Sequence, residues 1–236
     1  MKQVVRYGSD GKTAAASTVT LPTIYNGQTS EPTRVWWKNA SSAGEVLQGC
    51  RVVRESNGGS DGYDMLQLAS DVPISPPAAP NAAAVAGAGL EIGLYRYAVT
   101  FVNAQGETTP GADATATTTN GNQQVSLTSI PIGPSGTTAR RLYRTAVGGS
   151  VKKLVAEIAD NGTTTYTDST PDASLGEDAP VLNTSGSPGT WQTAALLVGD
   201  MAVGDYLGVW ARFVAPAGAS QLGNPRQAYL RFEETG

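Results

Sequence analysis

The chain reads as an all-β protein made of two β-sandwiches, and three observations carry that reading. The first is alternation. Tyr95, Tyr97, Val99 and Phe101 alternate with Arg96, Ala98, Thr100 and Val102. A strand sends every second side chain to one face, so this period buries an aromatic–aliphatic row. The second is composition: charged residues make up only 15%, against 28 Gly and 14 Pro in 236 residues. Short strands with many turns suit that balance, whereas long helices want more Glu, Lys and Leu. The third is turn chemistry. Asn103-Ala-Gln-Gly106 reverses the chain straight after the alternating run, with Gly free to take the positive φ that a tight turn needs.

Two breaks in composition organise the rest. Pro73-Ile-Ser-Pro76-Pro77-Ala-Ala-Pro80, with the Ala/Gly run to Gly89, reads as a stiff connector that resists helix and central strand alike. A second turn-rich stretch runs from Pro171 to Pro188. All four tryptophans, Trp36, Trp37, Trp191 and Trp210, lie outside these breaks. Each outer piece is short for a core of its own and carries apolar residues that need partners. Residues 1–75 and 183–236 are therefore expected to pair into one discontinuous outer sandwich, with 78–182 inserted as a second. Three beads on a string is the alternative.

Expected outer strands are Gln3–Tyr7, Ser17–Leu21, Thr33–Lys38, Arg51–Arg54, Met65–Leu68, Gln192–Leu197, Tyr206–Val214 and Gln227–Phe232, with Met65–Leu68 open to being a helical turn.

Bulk charge and residue types exclude several functions. A net charge of −4 and a pI near 4.9 disfavour nucleic acid as a partner, because phosphate demands a basic face. No run approaches the roughly 18 apolar residues of a membrane span, and the N-terminus carries no signal-peptide pattern, so synthesis in a cytoplasm without export is expected. A single cysteine, Cys50, excludes an intrachain disulfide and reads as a small core residue beside Val52 and Val53. There is no histidine. That removes Ser-His-Asp and Cys-His triads and the usual general base near neutral pH.

Fragments that mimic catalytic motifs fail on spacing. Gly11-Lys12-Thr13 ends like a phosphate-binding loop, but Arg6 stands where the opening Gly belongs. Gly87-Ala-Gly89-Leu-Glu-Ile-Gly93 has one residue too many for a dinucleotide fingerprint. Ser150-Val-Lys-Lys153 lies in a hairpin turn without its supporting motifs.

The inner segment resembles a fibronectin type III or immunoglobulin-like module. YRYAVTFVNAQGETTP is similar to the hairpin that ends such modules, and Gln124-Val-Ser-Leu-Thr, Arg141-Leu-Tyr-Arg-Thr and Thr164-Thr-Tyr-Thr-Asp168 resemble their earlier strands. Here the terminal hairpin comes first, which implies a circularly permuted order. The run GETTP…TTTNGNQQVSLTSIPIGPSGTTARRLYRTAVGG is also similar to segments of structural proteins of tailed bacteriophages. The outer residues Gly204–Gly218 resemble phage sandwich domains more weakly, jelly-roll-like or immunoglobulin-like. The resemblance carries no catalytic residues. It implies a non-enzymatic virion component, either capsid decoration or a tail or baseplate protein, present in many symmetric copies and docked to other virion proteins after assembly in the bacterial cytoplasm. The alternative is a carbohydrate-binding or adhesive module for a host surface glycan.

Candidate site residues follow from surface chemistry. Adjacent Trp36 and Trp37 on a strand should face opposite ways, one to the core and one to an interface. Arg140, Arg141, Arg144, Lys152 and Lys153 fall across one hairpin and could meet an acidic neighbour, although a solvated face is the commoner outcome. Asp61 with Asp64, and Asp160 with Asp168, are oxygen-rich, but calcium needs six to eight oxygens and loop solvation is the better reading. No cofactor is expected.

Overall fold

The computed structural model describes residues 4–7, 18–20, 28–42, 44–55, 66–214 and 227–234. The fold is all-β. In chain order the strands are β1 (Val4–Tyr7), β2 (Thr18–Thr20), β3 (Thr33–Asn39), β4 (Leu47–Glu55) and β5 (Leu66–Val72), then β6 (Asn81–Val85), β7 (Gly93–Asn103), β8 (Gly106–Glu107), β9 (Ala114–Thr118), β10 (Gln124–Thr128), β11 (Ala139–Thr145), β12 (Lys152–Ile158) and β13 (Tyr166–Asp168). The tail adds β14 (Ser187–Pro188), β15 (Leu196–Met201), β16 (Tyr206–Phe213) and β17 (Gln227–Glu233). The one short helical turn among the described residues is a 3-10 turn at Asp172–Ser174. None is long and apolar enough to cross a membrane.

The chain divides into two compact units, Met1–Val72 with Ser187–Gly236 and, separately, Pro73–Gly186. In unit 1 a five-stranded sheet runs β1-β3-β16-β5-β14 and a four-stranded sheet runs β15-β4-β17-β2. Head and tail strands interleave in both. β16 pairs with β3 on one side and β5 on the other, and β4 lies between β15 and β17. The sheets share one core. Val35, Trp37, Leu66, Leu68, Val209, Ala211 and Phe213 from the first meet Val52, Leu196 and Leu230 from the second. Each large apolar side chain so buried contributes about 1.5–3 kcal/mol.

Unit 2 follows the same logic with different order. One sheet runs β13-β10-β6; the other runs β12-β11-β7-β8, with β9 also paired to β7. Alternate residues Tyr95, Tyr97 and Val99 of β7 pack with Ala114 and Ala116 of β9, Val125 and Leu127 of β10, and Leu142 of β11. The Asn103–Gly106 turn forms as its residues require. Asn103 Oδ1 accepts from the Gln105 and Gly106 amides at 3.0 Å each. Gly106 has φ +151°, and a Cβ there would lie 2.3 Å from Thr184 Oγ1.

Two elements differ from the sequence reading. The connector Pro73–Gly89 contains a strand, because the alanines of β6 are small enough to lie along β10 in full register from Asn81↔Thr128 to Val85↔Gln124. The strand expected at Met65–Leu68, and not its helical-turn alternative, is found where the segment is described, with Leu66 opening β5. The strand expected at Gln192–Leu197 begins instead at Leu196. Gln192 exchanges both backbone bonds with Leu68 at 2.8 Å in a single bridge. The chain then crosses to the other sheet and pairs with β4, with register shifts around Gly199.

Tyr95 anchors the start of β7. It is fully buried, its hydroxyl donates to the Glu91 carbonyl at 3.1 Å, and the Arg144 guanidinium sits 4.9 Å from its ring centre. Tyr95→Phe keeps the ring and loses only the hydrogen bond, so it is expected to cost about 1 kcal/mol. Leu127→Ala opens the core and is expected to cost about 2–5 kcal/mol. Urea midpoints of the two variants, measured on the whole chain, check the difference.

Candidate functional site

The outer face of the five-stranded sheet in unit 1 gathers its aromatic and cationic side chains into one row. Register makes this row: Trp210 lies opposite Arg34, Gly208 opposite Trp36 and Tyr206 opposite Lys38, while Arg212 lies opposite Gln67. Arg34 stacks 5.1 Å from the Trp36 ring centre and 5.0 Å from that of Trp210. Lys38 stands 4.8 Å over Tyr206, and Arg212 4.1 Å from Trp191. Asp71, at the end of β5, accepts from Trp210 Nε1 at 2.6 Å and from Arg34 at 3.5 Å. Burial holds the Arg34 guanidinium below its ordinary range and pushes the Asp71 carboxyl up, against the opposing pull of their mutual attraction.

Trp36 and Trp37 do point to opposite faces, as alternation demands, but both are only 3% exposed. The expectation of an exposed interface tryptophan is therefore corrected. Trp37 belongs to the core with Val35. Trp36 lies flat beside Gly208, where a Cβ would stand 2.8 Å from its ring, and Arg34 closes over it. The half-buried members of the row are Lys38, Gln67, Trp191, Tyr206, Trp210 and Arg212. Stacked cations hold these rings in place, each pair contributing about 0.5–2 kcal/mol. The face can thus offer rigid aromatic edges and charge to a sugar ring or a protein surface. Sequence reasoning passed over Arg34, Asp71, Trp191 and Arg212. The shared parity of 34, 36 and 38, and of 206, 208, 210 and 212, was the available signal; nothing in the sequence signals Asp71 or Trp191.

The arginines of the β11–β12 hairpin serve the fold of unit 2. The expectation that Arg140, Arg141 and Arg144 form an outward basic patch is corrected: Arg140 and Arg144 are fully buried. Arg144 bonds Asp168 at 2.7 Å, Asp172 at 2.5 Å and the Thr170 carbonyl. Burial pulls its guanidinium down, but the Asp172 hydrogen bond and the Asp168 charge outweigh that and raise it. Tyr97 also donates to Asp168, at 2.8 Å, and burial with that carboxylate drives its phenol far above the ordinary value. Arg140 bonds Asp160 at 2.9 Å and the Pro131 carbonyl at 3.1 Å. Arg141 is partly exposed and joins Glu107 at 2.8 Å to Glu157 at 2.7 Å. Lys152 and Lys153 pair with Asp113 and Asp178. Strand alternation conceals this outcome, because the carboxylates that neutralise the cations lie elsewhere in the sequence.

The acidic pairs are placed differently from one another. Asp160 is an exposed loop acid whose carboxylate accepts the Gly162 and Thr163 amides at 2.7 Å each, the Thr163 hydroxyl and Arg140. Asp168 is fully buried in the Arg144 pair. Asp61 and Asp64 lie outside the described residues. Among the described residues no group of three or more His, Cys, Asp or Glu gathers to hold a metal ion. Cys50 packs with Leu47 and Met201 in a small satellite core, and burial raises its thiol.

Removing Arg144 leaves a buried carboxylate without its charge partner, so Arg144→Met is expected to cost about 3–5 kcal/mol. Arg141→Met, at a half-exposed pair, is expected to cost about 1 kcal/mol or less. Urea unfolding of the whole chain checks both. Asp160 tests pH. The Thr163 and Gly162 amides hold its carboxyl below the usual carboxylate range. Its contribution is therefore complete above the unfolded value, near pH 4, and is lost as pH falls below that. Asp160→Asn should show a shallower loss of melting temperature than the parent chain from about pH 4 downward.

Compared with known proteins, the chain matches no family model, no curated protein and no solved structure.

Proposed function

We propose that the chain is a non-enzymatic structural component of a tailed-phage particle, located in the virion, that acts through protein–protein contacts in many symmetric copies. Capsid decoration and a tail or baseplate position are the two places considered. The observation that carries the reading is the strand order of unit 2. Its sheets run β6-β10-β13 and β9-β7-β11-β12, an arrangement that supports the reading of an immunoglobulin-like sandwich with strands A-B-E facing G-F-C-C′. On that reading the order along the chain is A, F, G, B, C, C′, E. The terminal-type F–G hairpin then precedes B, in keeping with the resemblance, but the order is not a strict circular permutation, in which A would follow G. Tyr95 adds support: it stands near the start of strand F and bonds a backbone carbonyl four residues upstream, as the tyrosine corner of such sandwiches does. The likeness of Gly106–Gly149 to segments of phage structural proteins points this module toward particles. Symmetric repetition makes modest contacts additive through avidity.

A second reading, attachment to a host surface glycan, is favoured by one specific feature. Trp191, Trp210 and Tyr206 present half-buried rings on one sheet face beside Arg212 and Lys38, the arrangement that stacks against sugars.

Immunogold labelling of purified particles with an antibody to this chain tests the first reading. Gold on capsid, tail or baseplate is the expected result, and particles that stay bare while the infected lysate labels would refute it. For the second reading, glycan-array binding should fall at least tenfold in Trp191→Ala; no binding by the parent chain removes it.

A further inference from the structure

Charge pairing in unit 2 is nearly complete, and its exceptions share a location. Among the described residues from 73 to 186, all of which are described, every charged side chain except Glu91 and Arg96 joins an ion pair. Both exceptions are exposed. Between them lie two exposed apolar side chains, Ile92 at 58% and Leu94 at 39%. Leu94 and Arg96 share the outer row of β7, opposite the exposed Thr117 and Thr115 of β9. Further along that row the face closes, with Ala98 and Thr100 fully buried. The neighbouring β11–β12 hairpin brings its tip to the same end, since the Gly148 amide donates to the Leu94 carbonyl at 3.0 Å. Val151, on that tip, is 56% exposed.

This end is also remote from the chain connections of unit 2. Ile74 and Ser185 bond each other, and Ser185 bonds Asn103, at the far end of β7. Roughly 30 Å of strand separates that point from Leu94. An apolar centre flanked by one anion and one cation is complementary to itself: a two-fold rotation through Ile92 and Leu94 sets Glu91 against Arg96 of the second copy, and Arg96 against Glu91. An isologous contact has this reciprocity, and opposite charges at its rim fix register.

We infer that the Glu91–Arg96 end of unit 2 is a two-fold contact with a second copy of this chain. The inference rests on the surface of unit 2 and not on a virion role, so a chain absent from particles would leave it standing.

Sedimentation equilibrium of the whole chain tests it. The parent chain should approach the mass of two chains as concentration rises. Glu91→Arg and Arg96→Glu each place like charges opposite one another and should weaken association about tenfold. The double variant Glu91→Arg/Arg96→Glu restores opposite pairs and should return to within about threefold of the parent. Leu94→Glu should leave one-chain mass throughout. These positions are exposed, and unchanged melting temperatures show that the variants fold. A parent chain at one-chain mass at every concentration overturns the inference. So do single reversals without effect, or a double variant as weak as the singles.

Discussion

Interleaving of the two chain ends is the constraint on which unit 1 depends. β16 from the tail fills the centre of the five-stranded sheet, between β3 and β5 of the head. β4 from the head fills the centre of the other, between β15 and β17 of the tail. A central strand satisfies hydrogen bonds on both its edges, so removing either end of the chain leaves the other as unpaired edges and half a core. Core composition repeats the dependence: Val35, Trp37, Leu66 and Leu68 from the head close against Val209, Ala211, Phe213 and Leu230 from the tail. The chain must therefore leave unit 1 at Val72 and return at Ser187, residues directly opposite each other in register. Anything inserted there needs its own ends close together. Unit 2 meets that requirement through the Ile74–Ser185 and Asn183–Ile74 bonds.

Strand order and end-pairing in unit 2 are linked by the same geometry. Unit 2 opens with β6 and closes after β13, and both strands flank β10 in one sheet. After β13 the chain passes the 3-10 turn and runs back along the β12 edge, where the Leu154 amide donates to the Glu177 carbonyl and the Ala179 amide to that of Lys152. That return covers an otherwise bare edge strand and delivers the chain to the Asn103 end. Buried charge fixes the arrangement further. Arg144 of β11 ties Asp168 of β13 to Asp172 of the 3-10 turn. A one-residue slip of β11 would turn this guanidinium to the other face and leave both carboxylates uncompensated.

The all-β class was legible because alternation in Tyr95–Phe101 and Tyr206–Phe213 is a local signal that survives tertiary context. Turn chemistry at Asn103–Gly106 was legible for the same reason. What escaped depends on neighbours. β6 reads as linker because alanine has no strand preference, and only its place beside β10 makes it a strand. Trp36 and Trp37 were assigned opposite faces correctly, yet exposure of the outer one turned on Gly208, far along the sequence, and on Arg34 closing from above. The arginine cluster looked like surface because carboxylates at Glu107, Asp160, Asp168 and Asp172 are sequence-distant and come together only when the sheets fold. Candidate site residues were harder than strands, since a strand is written in its own residues and a surface is written by what fails to cover it.

Charge economy then separates two kinds of surface. On the outer face of unit 1 the cations are stacked on aromatic rings and Asp71 is already bonded, so the face is preorganised and loses little side-chain freedom when something meets it. Its specificity would come from shape and from the edges of Trp191, Trp210 and Tyr206. At the Glu91–Arg96 end of unit 2 the opposite holds: the charges have no internal partner and the apolar side chains are open to water, so pairing and burial both remain to be gained on contact. A module that neutralises nearly all its other charges internally leaves few groups able to compete for a partner. The two that remain, one of each sign on either side of an apolar pair, accordingly set both where a copy can dock and in which orientation.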